Sequence, residues 1–263
     1  MGALELKLGK LRGMIRDCES AVVAFSGGVD SSVLAALASR ELGQRVVAVT
    51  LKSKTLPASE LECARKIASV IGIRHVIIEH SELSDKAFVN NTRNRCYHCK
   101  KSLSTRLKTF AEKNGFKRVL EGTNAGELEG HRPGFRALKA AGVISPLAAA
   151  GLSKEDVRLI ARRLRLPNFD KPSMACLSSR VPYGTLITKS LLERIEAAEY
   201  YIRRIGVGQV RVRCYGKTAV IEVLPKDFAI LAKRHSSVER RIKELGFNRV
   251  ALDLGGYRTG SMN

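Results

Sequence analysis

The sequence predicts an α/β protein: a parallel sheet with helices on both faces, followed by a smaller α+β domain toward the C-terminus. Three observations carry this. Short apolar runs alternate with stretches of helical periodicity through residues 1–168. A pair of glycines joins the first apolar run to a long helical one. A proline-bounded irregular loop, residues 170–184, then separates that pattern from a different one. The boundary is drawn there, giving domains of residues 1–168 and 169–263.

In order, Leu4 to Ile15 has helical periodicity and leads into an apolar strand that starts at Ser20 and ends at the glycine turn. A helix begins near Asp30. Residues Arg45 to Thr50 form a second strand, Ser59 to Ile71 a helix, and His75 to Glu79 a third strand. Leu103 to Asn114 is a helix stopped by Gly115, and Lys117 to Glu121 is a fourth strand. Ser153 to Leu166 is a helix with Ser153 as its cap, Asp156 completing a capping box and Pro167 ending it. Strands this apolar require cover on both faces, and such sheets bind ligands at the carboxyl ends of their strands. Beyond the irregular loop come a helix (Leu191 to Ile205), strands at Gln209 to Cys214 and Thr218 to Leu224, helical segments from Asp227 to Leu245, and a short strand at Arg249 to Leu252.

With 263 residues, 44% of them hydrophobic, the chain can bury one large core or two modest ones. No apolar run approaches the roughly 18 residues that span a bilayer, and Met1 to Lys7 lacks a signal-peptide core, so a cytoplasmic location without membrane partners is expected. Six cysteines at scattered spacings point to thiol or metal chemistry rather than a disulfide framework. The net charge of +21 suits a polyanionic partner, yet the basic residues lie on helical faces such as Arg158 to Arg163 and Arg240 to Lys243, which solvation also explains.

Ser26-Gly27-Gly28-Val29-Asp30-Ser31-Ser32 reads as a pyrophosphate cradle. Glycines let a phosphate approach backbone N–H groups, and the following helix adds unpaired donors and the positive end of its dipole. Ser26, Ser31 and Ser32 supply hydroxyls, and Asp30 is placed to hold a Mg²⁺ that bridges phosphate oxygens. The alternative is an ordinary strand-to-helix turn capped by Asp30 or Ser31. Gly122-Thr123-Asn124 follows the fourth strand on the same sheet edge and reads either as a nucleotide contact or as a plain Asn-bearing turn.

Cys96-Tyr97-His98-Cys99 precedes a predicted helix, with Cys176 far off in the irregular loop. The pair reads as ligands of an iron–sulfur cluster, half of a zinc site, or a redox pair. Cys18, Cys63 and Cys214 read as small buried hydrophobes. Cys176 is followed by the donor-rich Ser178-Ser179-Arg180, where an anion could dock. Arg211 and Arg213 alternate along a strand, so they share one face, either as a phosphate clamp or as surface arginines.

The glycine turn resembles the PP-loop of ATP pyrophosphatases, which cut ATP to AMP and pyrophosphate. With Arg95 to Lys100, Gly122-Thr123-Asn124, His131 to Gly134, Lys171 to Gly184 and Leu254 to Asn263, nearly the whole chain resembles the LarE-type ATP-dependent sulfur transferases. That resemblance implies adenylation of a carboxylate of a pyridinium biscarboxylate mononucleotide and its conversion to a thiocarboxylate during nickel-pincer nucleotide synthesis. It places Ser26, Gly27, Gly28, Asp30, Ser31 and Ser32 on ATP, with Thr50, Gly122 and Thr123 as further contacts. Ser179, Arg180, Arg211 and Arg213 would bind the substrate phosphate, and Cys176, Glu199 and Asp227 would be the catalytic set. Sulfur would come from Cys176 itself, leaving dehydroalanine, or through a 4Fe-4S cluster on Cys96, Cys99 and Cys176, which implies a sulfide donor. This chain has the three-cysteine pattern. Many relatives carry aspartates after Gly-Thr-Asn, where only Glu127 keeps a matching carboxylate here, with Glu129 nearby. A homo-oligomer is also expected. Rival readings are a tRNA thiolase of the same superfamily and a protein that binds ATP without turnover.

Overall fold

The computed structural model describes residues 2–128 and 133–258. Its elements are α1 (Ala3–Arg16), β1 (Ala21–Ala24), α2 (Val29–Leu42), β2 (Val46–Lys52), α3 (Ala58–Ile71), β3 (His75–Glu79), α4 (Lys86–Val89), α5 (Arg95–Lys113), β4 (Arg118–Leu120), α6 (Pro133–Ala140), α7 (Pro146–Ala149), α8 (Lys154–Arg163), α9 (Lys189–Arg204), β5 (Val210–Tyr215), β6 (Thr218–Val223), α10 (Phe228–Lys233), α11 (His235–Glu244) and β7 (Arg249–Leu252). They form two compact units. One comprises Met1–Glu82 and Asn94–Met174, the other Leu83–Arg93 and Ala175–Asn263.

In the first unit, β3-β2-β1-β4 is an all-parallel sheet in that order. Residue parity along the strands shows why both faces are covered. Ala21, Val23 and Ala48 join a core with Leu11 and Ile15 of α1, Leu34 of α2, Ile67 of α3 and Ile160 of α8. Val22, Val47, Val49 and Val119 point the other way, onto Leu107 and Ala111 of α5 and Leu138 of α6. Chain reversal at the ligand edge depends on Gly27, at φ +70°, where an added Cβ would sit 2.7 Å from the Ala64 Cα of α3. Only glycine fits there.

The second unit has a three-stranded sheet in the order β5-β6-β7, antiparallel at the first pair and parallel at the second. Its core combines Ile195 and Ile202 of α9 with Val212, Ile221, Val238, Ile242 and Phe247. Segment Leu83–Arg93 belongs here because of Asn91, which is buried at φ +52°. Its amide donates to the Pro182 and Thr185 carbonyls at 2.8 and 2.9 Å, and its own carbonyl accepts from the Gly184 N–H at 3.0 Å.

The expectation that the two-cysteine motif precedes a helix starting near Leu103 is corrected. Helix α5 begins at Arg95, so Cys96 and Cys99 occupy its first turns. Polar Arg95 to Ser102 shows no apolar stripe. That turn is packed by α6, whose Gly134 comes so close that an added Cβ would meet the Lys100 Cγ at 3.1 Å. The α8 cap is as expected: the Ser153 hydroxyl accepts from the Asp156 N–H at 3.2 Å, and the Asp156 carboxylate accepts from the Ser153 N–H at 3.1 Å. Ser153→Ala removes half of this box. We expect a loss of about 1 kcal/mol, read as a thermal midpoint lowered by a few degrees.

Candidate functional site

In the first unit, β1 runs into Phe25, whose N–H continues the sheet to the Val49 carbonyl at 2.9 Å, and then into Ser26 and the two glycines. Gly28, at φ −77° and ψ 164°, is the residue before α2 and lends no side-chain cap, so the helix is capped by neither Asp30 nor Ser31. The first amides of α2 thus lack intrahelical partners and face the strand-end cleft. The serine hydroxyls shape the turn: Ser31 and Ser32 donate to the Gly28 carbonyl at 3.1 and 2.8 Å, and the Ser26 and Ser31 oxygens lie 3.1 Å apart.

The segment after β4 presses on the same helix end. A Cβ on Gly122 would lie 2.9 Å from the Ser31 nitrogen. Thr123 is oriented by Glu121, which accepts from its N–H at 3.0 Å and its hydroxyl at 2.7 Å while also holding the Ser145 hydroxyl. Asn124, buried, donates to Asp30 Oδ1 at 3.2 Å. The other Asp30 oxygen is bonded by the Lys154 ammonium at the start of α8. Sequence reasoning missed Lys154, since nothing local marks it. The capping box that begins its helix is the one signal pointing to where it stands.

Thr50 is placed at the end of the sheet, but its buried hydroxyl is spent inside, donating to the Phe25 carbonyl at 2.7 Å and meeting the His75 Nε2 at 2.8 Å. Burial and the Arg65 charge push the His75 imidazole below its ordinary value, favouring the neutral ring. Cys96 is exposed and Cys99 half-buried, three positions apart on α5 and hence on one helix face. Glu127 lies in a 3₁₀ turn, Ala125–Leu128. Glu129, His131, Arg132 and residues 259–263 lie outside the described residues.

In the second unit, Cys176 has an exposed side chain just before the 3₁₀ turn Leu177–Arg180. Its main chain is clamped. Arg180, fully buried, donates from Nη1 to the Ala175 and Cys176 carbonyls at 2.7 and 3.0 Å, and grips Glu199 with Nε and Nη2 at 2.8 and 3.0 Å. Glu199 is equally buried and also accepts from the Val212 N–H at 3.1 Å and from Arg203 at 3.3 Å. Burial works against its charge, but Arg180, the Val212 N–H and Arg203 outweigh it and hold the carboxyl below the usual range.

Arg180 and Glu199 form a buried pair. Both side chains are buried inside the unit and bonded to each other, and through these bonds they position the Cys176 loop. Arg213, expected on a half-exposed face, is buried too. It reaches the Ser179 carbonyl and Glu222, both at 2.8 Å. Arg211 shares its face, donates to the Val210 carbonyl at 2.9 Å and stacks on the Tyr257 ring, its guanidinium carbon 5.2 Å from the centroid. Burial and the nearby Arg180 charge push the Arg211 guanidinium down, so an anion beside it would relieve repulsion. The Ser179 hydroxyl donates to the Cys176 carbonyl at 2.8 Å. Asp227 is buried, with one carboxylate oxygen that finds no partner among the described residues. Within either unit, among the described residues, no three His, Cys, Asp or Glu side chains are gathered as metal ligands.

A family model described as asparagine synthase matches residues 14–142, the stretch holding β1 to β4 and the glycine turn. The pyridinium-3,5-bisthiocarboxylic acid mononucleotide synthase of Lactiplantibacillus plantarum is 37% identical over 100% of this chain and 96% of its own. The chain belongs to the LarE family of PP-loop enzymes. It is an ATP-dependent sulfur transferase. An uncharacterised protein of Synechocystis sp. is 42% identical over 99% of this chain and 98% of its own. A tRNA-specific 2-thiouridylase of Rickettsia africae is only 28% identical, over 64% of this chain and 56% of that enzyme.

The Glu199 contacts give a stability prediction. The folded-state value lies below the ordinary carboxylate value of about 4.3, so the contribution is complete above that pH and is lost as pH falls through the folded value. Glu199→Gln strands a buried guanidinium and is expected to cost about 3–5 kcal/mol near neutrality. Denaturant titrations of the two proteins should converge as pH drops below about 4. A constant gap would mean that the pair contributes no charge-dependent stability.

Proposed function

We propose that this enzyme adenylates a carboxylate of pyridinium biscarboxylate mononucleotide and converts it to a thiocarboxylate in nickel-pincer nucleotide synthesis. The observation that carries the reading is the Cys176 loop: an exposed thiol on a main chain held by a buried arginine, in a chain similar over its full length to a bisthiocarboxylic acid mononucleotide synthase. In the first step a carboxylate oxygen attacks the α-phosphorus of ATP and pyrophosphate leaves. In the second a sulfur nucleophile attacks the acyl carbon, and AMP departs with that carboxylate oxygen. The amides at the start of α2 and the Ser26 hydroxyl bind the leaving phosphates, while Thr123 and Gly122 wall the nucleotide.

Asp30 suits Mg²⁺, since both its oxygens are already bonded by donors that a cation would replace, the Asn124 amide and the Lys154 ammonium. Lys154, displaced, is then a cation at hand for the phosphates. Arg211, Arg213 and Ser179 are the phosphate anchors for the acceptor, with Arg180 and Glu199 behind them and Asp227 as the candidate proton acceptor. On one sulfur route the Cys176 thiolate attacks the acyl adenylate and expels AMP to give a thioester; a base then takes the Cys176 Cα proton, the Cβ–S bond breaks, and the thiocarboxylate leaves dehydroalanine behind. On the other, Cys96, Cys99 and Cys176, none in a disulfide and none fully buried, are the thiols that would hold a 4Fe-4S cluster, which when bound supplies an iron site for hydrosulfide. That route takes an external sulfide donor. A cytoplasmic location and self-association of the chain belong to the same reading.

Pyrophosphate release should require the biscarboxylate mononucleotide and be unaffected by tRNA. Release driven by tRNA alone would overturn the assignment in favour of tRNA thiolation. Whole-protein mass after one anaerobic turnover reports the sulfur source: loss of the elements of hydrogen sulfide from Cys176 marks the sacrificial route, and an unchanged mass with bound iron and labile sulfide marks the cluster route. Lys154→Met is expected to weaken ATP binding by about ten- to a hundredfold at saturating Mg²⁺, the value of a charge-assisted hydrogen bond. Calorimetric titration with a non-hydrolysable ATP analogue measures it.

A further inference from the structure

An open cavity of about 520 Å³ lies in the first unit between α3 and the segment after α8. That volume is within the roughly 300–1,000 Å³ usual for small-molecule sites. Its wall includes Glu62, Cys63, Lys66, Asn168, Asp170 and Lys171, none of which the sulfur-transfer reading uses. The cavity backs directly onto the PP-loop. The Cys63 sulfur is 3.8 Å from the Gly27 carbonyl oxygen, and Asn168 donates to that same oxygen and to the Ser32 hydroxyl, both at 3.0 Å. The next residue of α3, Ala64, is the one against which Gly27 is packed.

Three features give this cavity a chemistry. Its nucleophile is a free, half-buried thiol. The Lys171 ammonium, fixed by Glu60 at 2.8 Å, lines the same wall as Cys63 and feels its charge. Burial works against that ammonium, but Glu60 and Cys63 outweigh it and hold its value above the ordinary one, so the cation is permanent. The third is an orphaned acceptor: Asn168 is 6% exposed, and its Oδ1 is buried with no partner among the described residues. A peptide N–H would satisfy it. The rest of the wall is mixed in charge, with Lys66 paired to Glu62 at 2.7 Å and Asp170 beside Lys171. A zwitterionic peptide disulfide, carrying carboxylates, an ammonium and amide N–H groups, matches this wall better than a purely apolar or purely anionic ligand.

We propose that Cys63 is a thiol-modification site that takes a low-molecular-weight peptide disulfide of the glutathione class and, once modified, disables the PP-loop. The Cys63 sulfur attacks one sulfur of the incoming disulfide. A new S–S bond forms as the old one breaks, and the departing thiolate takes the electron pair and, through solvent, the Cys63 proton. Cys63 is oxidised and the departing thiol reduced, with the disulfide as the only oxidant. An ammonium at the sulfur favours both the anionic transition state and the carboxylates of the reagent. The adduct fills the cavity from a sulfur that already lies 3.8 Å from the Gly27 carbonyl and pushes on Asn168, so the Asn168 brace to Gly27 and Ser32, and with it the turn packed on Ala64, is displaced. The inference rests on the ATP-binding reading of that turn.

The test uses the full chain with Cys96, Cys99 and Cys176 changed to serine, which leaves Cys63 as the one cysteine besides the buried Cys18 and Cys214. Glutathione disulfide is added, the adduct is mapped by peptide mass, and affinity for a non-hydrolysable ATP analogue is measured by calorimetry. The expected result is an adduct on Cys63, ATP affinity lowered about tenfold or more, and recovery with dithiothreitol. Cys63→Ala, or Cys63→Ser if alanine folds poorly, should bind ATP like its parent and ignore the disulfide. Lys171→Met should slow modification by glutathione disulfide more than by the uncharged hydroxyethyl disulfide. No adduct at Cys63, or an adduct with unchanged ATP affinity, overturns the proposal. Absence of ATP binding before any disulfide is added would count instead against the nucleotide reading itself.

Discussion

The structure of the first unit depends on how much chain is crowded at the amino end of α2. Gly27 lies against the backbone of α3, and Gly122 lies against the backbone of α2 itself, each so closely that a single Cβ would collide. The glycines are therefore needed as much for contact between segments as for turning. Because those segments meet at backbone distance, the amides of the α2 first turn, Asn124 and Lys154 converge on one small volume at the carboxyl ends of the strands. Donors fixed by backbone contact in this way need little reorganisation to meet an acceptor.

Asp30 creates a problem that this crowding solves. A carboxylate in the first turn of a helix is favoured by the helix dipole, but on its own it is an uncompensated charge in a crowded place. The Lys154 ammonium and the Asn124 amide each take one of its oxygens, and so neutralise and orient it. Lys154 is delivered by a capped helix start, so the position of the charge is set by backbone hydrogen bonds rather than by a long flexible reach from a loop.

The sheet, the glycine turn and the α8 cap were legible in the sequence because their signals are local: apolar runs of strand length, two glycines, and a serine three residues before an aspartate. The face shared by Arg211 and Arg213 was legible for the same reason, since strand parity alone decides it. Their burial was not, because it depends on Glu222, Ser179 and Tyr257 arriving from elsewhere. A charged residue is expected outside unless paired, and the pairing of Arg180 with Glu199 joins a loop to a helix. Lys154 is the extreme case, since its partner is 124 residues away. The start of α5 was missed because Arg95 to Ser102 has no apolar stripe, and the contact that supports it comes from Gly134 on α6. The large positive charge misled least when read as surface: Arg162 lies over the Phe169 ring, Arg163 pairs with Glu5, and Lys243 pairs with Glu239.

A buried ion pair such as Arg180 with Glu199 adds little net stability, because desolvation cancels much of the attraction. Its value here is geometric. An exposed side chain keeps a defined reach only on an immobile main chain, since every degree of backbone freedom lowers the fraction of time spent in one place. A neutral side chain could not supply five fixed donors from one plane. The guanidinium does, spending Nε and Nη2 on Glu199 so that Nη1 is held rigidly beneath the Ala175 and Cys176 carbonyls. The carboxylate is what keeps that plane from turning, and its further bond to the Val212 N–H ties both to the sheet. The charge pair is thus the means by which the sheet of the second unit fixes the backbone of Cys176 while leaving its thiol exposed.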